Sequence, residues 1–82
     1  MVHDFTLVYA LNPEAGSQDE VLRRLAGSDC ADATVGWGRP RHVALAFSRE
    51  APDRGTAVAR AVAQMVQVLP GASLVRTDAG LP

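Results

Sequence analysis

The chain contains no lysine and only one cysteine among its 82 residues. All eight basic residues are arginines, a bias that we attribute mainly to the base composition of a GC-rich genome. A single cysteine excludes an internal disulfide bond and a zinc site built on cysteines. The formal net charge of −1 excludes a protein whose whole surface coats nucleic acid or an anionic membrane.

Long apolar runs are missing as well. The N-terminus lacks the basic residues and extended apolar segment of a secretory signal, since Asn12 and Pro13 interrupt its only apolar run. No stretch approaches the roughly 18 apolar residues of a membrane span. We therefore expect a cytoplasmic protein. Its length predicts one small domain over residues 1–82, of which 78–82 form a short tail.

The motifs of common enzyme classes are also absent. No phosphate-binding loop, dinucleotide fingerprint or Gly-x-Ser-x-Gly elbow occurs. Cys30, without a reliable base nearby, is more typical of a small buried hydrophobe than of a nucleophile. His3, Asp4 and His42 include two imidazoles but no third strong ligand, which favours ordinary surface histidines over a metal site. We expect no enzyme activity and no cofactor.

Two periodicities define the expected elements. Alternating large and small residues predict strands at 5–11 and 42–48, and two weaker strands are expected at 33–36 and 72–77. Helical spacing predicts helices near 17–28 and 54–69, the first opened by a Ser17–Glu20 capping box and the second by Asp53. Gly27 and Pro70-Gly71 are expected to end them. The expected apolar stripes are Val21, Leu22, Leu25 and Ala26 on the first helix, and Val58, Ala61, Val62, Met65, Val66 and Leu69 on the second.

The order strand, helix, strand, strand, helix, strand predicts an α+β domain of ferredoxin-like βαββαβ type. Such a domain has a four-stranded antiparallel sheet with both helices on one face. The large residues of the two main strands should face the helices. The opposite, bare face would then hold small and mostly uncharged side chains: Thr6, Val8, Ala10, His42, Ala44, Ala46 and Ser48. This face favours a partner, including a second copy of the chain bound there or along an edge strand.

Three families that share this topology require residues that the sequence lacks. It carries no aromatic residue for stacking nucleic-acid bases, as RNA-recognition domains require. The loop after the first strand is acidic where acylphosphatases need an arginine. The Cys-x-x-Cys pair of copper chaperones is absent.

A turn is predicted at 36–41, where two glycines and a proline occur in six residues, and the most distinctive segment is 37–42. Tryptophan and arginine are enriched at binding hot spots, and a turn displays them without disturbing a core. We therefore predict that Trp37, Arg39, Arg41 and His42 contact a protein or ribonucleoprotein partner. The alternative is that Trp37 folds back onto the edge of the domain while the arginines are solvated. Secondary interface candidates are Ala44, Ala46, Ser48, Arg23 and Arg24.

Residues 4–78 resemble the N-terminal domain that precedes a helix-turn-helix in a group of small bacterial DNA-binding proteins. The resemblance rests most specifically on Cys-Ala-Asp-Ala at 30–33 and Phe-Ser-Arg-Glu-Ala at 47–51. Residues 78–82 resemble the start of the link that leads to the DNA-binding helices in those relatives. Residues 1–82 contain no counterpart of those helices, so we expect that direct DNA binding does not carry over.

Two functions follow as expectations. The first is a non-enzymatic protein-interaction module of a bacterial regulatory system. The second is a phage or mobile-element inhibitor that binds a host defence complex and blocks its access to nucleic acid, in the manner of anti-CRISPR proteins. The second rests on similarity of size and design alone.

Overall fold

The computed structural model describes residues 1–13 and 16–78 of the chain. Its elements are β1 (Val2–Ala10), α1 (Gln18–Ala26), β2 (Thr34–Gly36), β3 (His42–Glu50), α2 (Arg54–Val68) and β4 (Ser73–Asp78). The strands form one antiparallel sheet in the order β2-β3-β1-β4. The chain is therefore α+β, with a four-stranded antiparallel sheet and two helices, as predicted. In the described ranges no helix is both long enough and apolar enough to cross a membrane.

The central pair, β1 and β3, sets the frame of the sheet. The two strands pair along their whole length, from Val2 opposite Glu50 to Ala10 opposite His42. Both are nine residues long. β1 begins three residues before the predicted 5–11 and ends one residue earlier, at Ala10, whereas β3 continues two residues beyond the predicted 42–48. The reason is that polar end residues continue the backbone ladder although they add nothing to the apolar pattern.

The two edge strands differ in length. β2 pairs with β3 through three residues only. β4 pairs with β1 from Thr6 to Ala10, with an irregularity between Val8 and Tyr9, and all six of its residues are exposed. Asp78, predicted as part of the tail, belongs to β4, while residues 79–82 lie outside the described part of the chain.

Helix α1 begins and ends where the sequence predicts. The Ser17 side chain accepts from the Glu20 amide, and the Glu20 carboxylate accepts from the Ser17 amide, which completes the capping box. Gly27 is the C-cap residue. The predicted stripe was too wide, because only Val21 and Leu25 are buried, whereas Leu22 is 40% exposed. Ala26 is exposed as well.

Helix α2 is capped by Asp53, whose carboxylate accepts from the Thr56 amide at 2.7 Å. Its contact face is rotated relative to the predicted stripe. Val66 is 60% exposed, which contradicts its expected place in the core. The buried residues of the helix are Ala57, Ala61, Met65 and Val68. Small alanines let the helix axis approach the sheet, so the longer Val58 and Val62 lie at the margins of the contact and are only half-buried.

The core lies between the helices and one face of the sheet. Phe5 and Phe47 stack there with ring centroids 5.3 Å apart and an interplanar angle of 19°. Cys30 joins them with 1% of its surface exposed, which confirms the prediction of a buried cysteine. The remaining large core residues are Leu7, Tyr9, Val21, Leu25, Val43, Leu45, Met65, Val68 and Leu69.

Candidate functional site

At one end of the β1–β3 pair, an arginine forms a network of hydrogen bonds. Arg49 donates through Nε and Nη2 to the two carboxylate oxygens of Asp32, at 2.8 and 2.9 Å. The same guanidinium donates through Nη1 to Gln64 Oε1 at 2.7 Å and through Nη2 to the Asp29 carbonyl at 3.1 Å. It therefore ties the loop after α1 to both β3 and α2.

The surroundings of Arg49 explain its hold on Asp32. Its guanidinium carbon lies 4.8 Å from the centre of the Phe47 ring, and its side chain is 18% exposed. The hydrogen bond from Arg49 lowers the pKa of Asp32. Residues 49–54 carry charges of both signs, a pattern that predicts ion pairs between near neighbours in the sequence. That prediction was wrong for Arg49, because its partner lies 17 residues away in the chain.

Cys30 lies beside this tie but is not arranged as a nucleophile. Its thiol is buried and contacts Gln64 Oε1 at 3.9 Å. Burial raises the pKa of the thiol, although Arg49 acts in the opposite direction. A protonated, enclosed thiol does not offer the exposed thiolate that nucleophilic catalysis needs.

The opposite end of the β1–β3 pair carries the turn predicted as the binding segment, which we call the recognition turn (residues 36–42). The His42 amide donates to the Arg39 carbonyl at 3.1 Å, with Pro40 and Arg41 at the two central positions. Arg41 has φ 59°. Proline followed by a residue with positive φ is typical of a type II β-turn, in which glycine or asparagine usually occupies the second central position.

Further contacts hold the turn rigidly. The Leu11 amide donates to the Arg41 carbonyl at 2.7 Å, which anchors the turn to the end of β1. The His42 ring lies with Nδ1 2.8 Å from the Pro40 carbonyl. Because a carbonyl only accepts, Nδ1 carries the proton in this contact. The side chains of Arg39 and Arg41 make no hydrogen bond or ion pair with residues 1–13 or 16–78.

The predicted binding residues of the recognition turn line two different grooves. On one side, Trp37 is half-buried against the core and lines a groove of about 230 Å³ together with Arg41. We call this the Trp37 groove. Its other walls come from the segment after β1 and the start of α1, through Leu11, Asn12, Pro13, Gly16 and Gln18.

On the other side, Arg39 and His42 line a larger groove of about 500 Å³ over the sheet. Val8, Ala44 and Val75 contribute to its surface. Arg76 of β4 joins it, a residue that sequence reasoning missed. Arg76 pairs with Val8 and therefore lies on the same face of the sheet. The sequence of β4 alone does not show this, because it does not fix the register of β4 against β1.

The sheet face away from the helices, which we call the open face, is more charged than predicted. Thr6, Val8, Ala10, Ala44 and Ala46 form a small-residue centre, as expected. The register also brings charged side chains to this face: Asp4 and Glu50 from the central strands, and Arg76 and Asp78 from β4. The expectation of a mostly uncharged face was therefore wrong at one end of the central strands and along β4.

Ser48 and Asp4 illustrate this charged periphery. The Ser48 hydroxyl donates to the Asp4 carboxylate at 2.5 Å across the β1–β3 pair. On β4, Arg76 Nη2 lies 3.8 Å from the Asp78 carboxylate. The described aromatic rings lie elsewhere, since three are buried and Trp37 packs against the core.

The two histidines do not come together. His3 lies opposite Arg49 and His42 lies opposite Ala10, at the two ends of the same ladder. Their positions differ in parity, so they also lie on opposite faces of the sheet. Among residues 1–13 and 16–78, no group of three or more potential metal ligands occurs.

The secondary candidates on α1 lie apart from the recognition turn. Arg23 and Arg24 are exposed in the last turn of the helix, where positive charge complements the helix dipole. Arg24 also lines a groove of about 670 Å³ between the two helices, with Asp29, Gln64 and Gln67. This position does not join them to the other candidates.

In comparisons with protein-family models, curated proteins and solved structures, nothing matches the chain. The resemblance to domains that precede a helix-turn-helix therefore stays a prediction. Its two most specific segments, 30–33 and 47–51, meet at the Arg49–Asp32 tie and in the core. Those residues hold the fold together, whereas the recognition turn and the open face present the predicted binding residues.

Proposed function

We propose that the chain is a ferredoxin-like, non-enzymatic interaction module of a bacterial regulatory system, and that it binds a macromolecular partner at the Trp37 groove. The fold type is supported by the element order, by the central position of β1 and β3, and by a core shared between one sheet face and both helices.

The observation that carries the proposal is the backbone of Arg41. Its φ of 59° lies in the left-handed region, which costs a residue with a side chain about 1 kcal/mol relative to glycine. The Arg41 side chain is exposed and forms no hydrogen bond or ion pair within the described ranges, so it does not compensate this cost through the fold. A contact with a partner would compensate it.

Trp37 supplies the second half of the site. Trp37 lines the groove together with Arg41. A space of about 230 Å³ suits a single protruding side chain. We infer a partner that inserts an apolar side chain beside Trp37 and presents a carboxylate to Arg41, since arginine binds carboxylates through two parallel hydrogen bonds.

The test is capture of the partner from the source cell with the tagged chain and with two variants, Trp37→Ala and Arg41→Gly. We expect at least a tenfold loss of captured partner for each variant, because tryptophan and arginine anchors commonly contribute 2 kcal/mol or more. Arg60→Ala is the matched control, since Arg60 is an exposed arginine of α2 outside the groove. Circular dichroism confirms that each variant folds.

Retention of the partner within about threefold by both folded variants would contradict the proposed site. The identity of the captured partner separates the two functions considered. A regulator supports the interaction module, whereas a nucleic-acid-guided defence complex supports the inhibitor.

A further inference from the structure

The open face carries charge of opposite sign at its two ends. Arg39, His42 and Arg76 border the groove at the recognition turn, and we call this the basic end. On the same face, Asp4 and Glu50 lie toward the other end of the central strands, and Asp78 lies beside Thr6 on β4. We call these three residues the acidic end. Between them lies the centre of small side chains, which includes Thr6, Val8, Ala44 and Ala46.

From this arrangement we propose that two copies of the chain pair through their open faces, related by a two-fold axis that runs across the strands. A two-fold axis along the strands would instead place the basic ends against each other. The axis across the strands reverses one copy, so that each basic end meets an acidic end. The charge pattern is therefore self-complementary, as an interface with two-fold symmetry requires.

The sheet register gives the pairing in detail. An axis through the row of Leu7, Leu45 and Thr77 exchanges the row of Val8 with the row of Thr6. Arg76 then lies opposite Asp78 of the second copy. Ala44 lies opposite Ala46 of the second copy, so small side chains meet at the centre. The ion pair within each chain, Arg76 with Asp78, then becomes part of a four-charge group.

The axis also brings each end of one open face against the opposite end of the other. The same axis exchanges the row of Ala10 and His42 with the row of Asp4 and Ser48. His42 lies opposite Ser48 of the second copy, and Asp4 of the second copy lies opposite Ala10. Arg39, which lies beyond His42 at the edge of the groove, approaches the end that holds Glu50. Arg39 thereby acquires an acidic partner, whereas it forms no ion pair with residues 1–13 or 16–78 of its own chain.

Small residues and limited area set the strength of this contact. Stacked sheets pack about 10 Å apart with ordinary side chains, and alanine, threonine and valine permit close approach. Four strands spaced about 4.8 Å apart and about seven residues long present roughly 400–500 Å² per copy. A standard stable interface needs about 800 Å² per partner. We therefore expect a reversible dimer with a dissociation constant in the micromolar range or weaker, sensitive to salt.

The test is analytical ultracentrifugation of the purified chain and of two charge-reversed variants. Arg39→Glu with Arg76→Glu reverses the basic partners of the proposed contacts, and Glu50→Arg with Asp78→Arg reverses their acidic partners. Each double variant alone should sediment as a monomer at concentrations where the parent is mostly dimeric. An equimolar mixture of the two should recover the dimer. Raising NaCl from about 0.05 M to about 0.5 M should weaken the parent dimer severalfold.

The matched control is Arg23→Glu with Arg60→Glu, which makes the same charge change on exposed arginines of the helices. It should dimerise like the parent. A parent that is monomeric at about 1 mM, or charge-reversed variants that associate as the parent does, would overturn the proposal. So would a mixture of variants that stays monomeric.

This inference goes beyond the proposed function and can fail separately from it. Trp37→Ala should reduce partner capture but leave the dimer intact, because Trp37 lines the groove on the other side of the recognition turn. Loss of the dimer in the charge-reversed variants bears only on the open face.

Discussion

The two faces of the sheet are built from the same strands but differ in the size, burial and charge of their side chains. On the helix-covered face, β1 and β3 contribute large residues such as Phe5, Leu7 and Leu45, each at most 2% exposed. On the open face, the alternate residues are small, and charged side chains surround them. The first face therefore accounts for stability, while the second leaves room for a contact. Substitutions on the two faces should separate these roles.

The largest difference is expected between neighbours on β3. Leu45 is fully buried, so Leu45→Ala should lower the free energy of unfolding by about 3 kcal/mol through lost burial and a residual cavity. Ala46, one residue further along, is exposed on the other face. Ala46→Ser should change stability by less than about 0.5 kcal/mol. Urea denaturation measures both, and similar losses at the two positions would contradict the assignment of the faces.

The next effect separates two arginines. Arg49→Ala removes four hydrogen bonds to Asp32, Gln64 and the Asp29 carbonyl, and should cost about 2 kcal/mol. Arg49→Lys should recover only part of this, since an ammonium cannot reproduce the planar fork. Arg39→Ala should fall within about 0.5 kcal/mol of the parent. The three variants are compared by thermal and urea unfolding, and equal losses for Arg39 and Arg49 would refute the distinction.

A smaller effect is expected in the pH dependence of stability. Arg49 lowers the pKa of Asp32, so this carboxylate is more acidic in the folded chain than in the unfolded chain. Its contribution is fully present above the ordinary aspartate pKa and is lost as pH falls through the lowered value. Asp32→Asn should therefore flatten the acid side of the stability curve. An unchanged acid slope in urea titrations at several pH values would show that the tie is not electrostatic.

The smallest effect tests the rotated contact face of α2. Val66 is 60% exposed, so Val66→Ala should leave the free energy of unfolding within about 0.5 kcal/mol of the parent. Val62 is half-buried at the margin of the core, so Val62→Ala should lower the free energy of unfolding by about 1 kcal/mol. A larger loss at Val66 than at Val62 would restore the stripe predicted from the sequence.

Much of the fold was predictable because its signals are local. The Ser17–Glu20 capping box, the Asp53 cap and the alternation of β1 and β3 each depend on residues close together in the chain. The rotation of α2 was not predictable, because valines and alanines at helical spacing define two overlapping stripes. Only the fit of the helix against the sheet selects the alanine-rich one.

The site was predictable only in part. The sequence predicted a turn at these residues but treated its side chains as one cluster, whereas Trp37 and Arg39 line different grooves. The conformation of the turn, with the positive φ of Arg41 and the Leu11–Arg41 hydrogen bond, is not encoded in the spacing of its residues. The sequence did not predict the ion pair between Arg49 and Asp32, because the two residues are 17 positions apart in the chain.

The most direct test of the account measures stability and partner binding together in Arg41→Gly. Glycine accepts the backbone of Arg41 without strain, so the free energy of unfolding should stay the same or rise by up to about 1 kcal/mol. Partner retention should fall at least tenfold, because the guanidinium is lost. Stability that is maintained together with undiminished partner binding would contradict the claim that the strained Arg41 serves recognition.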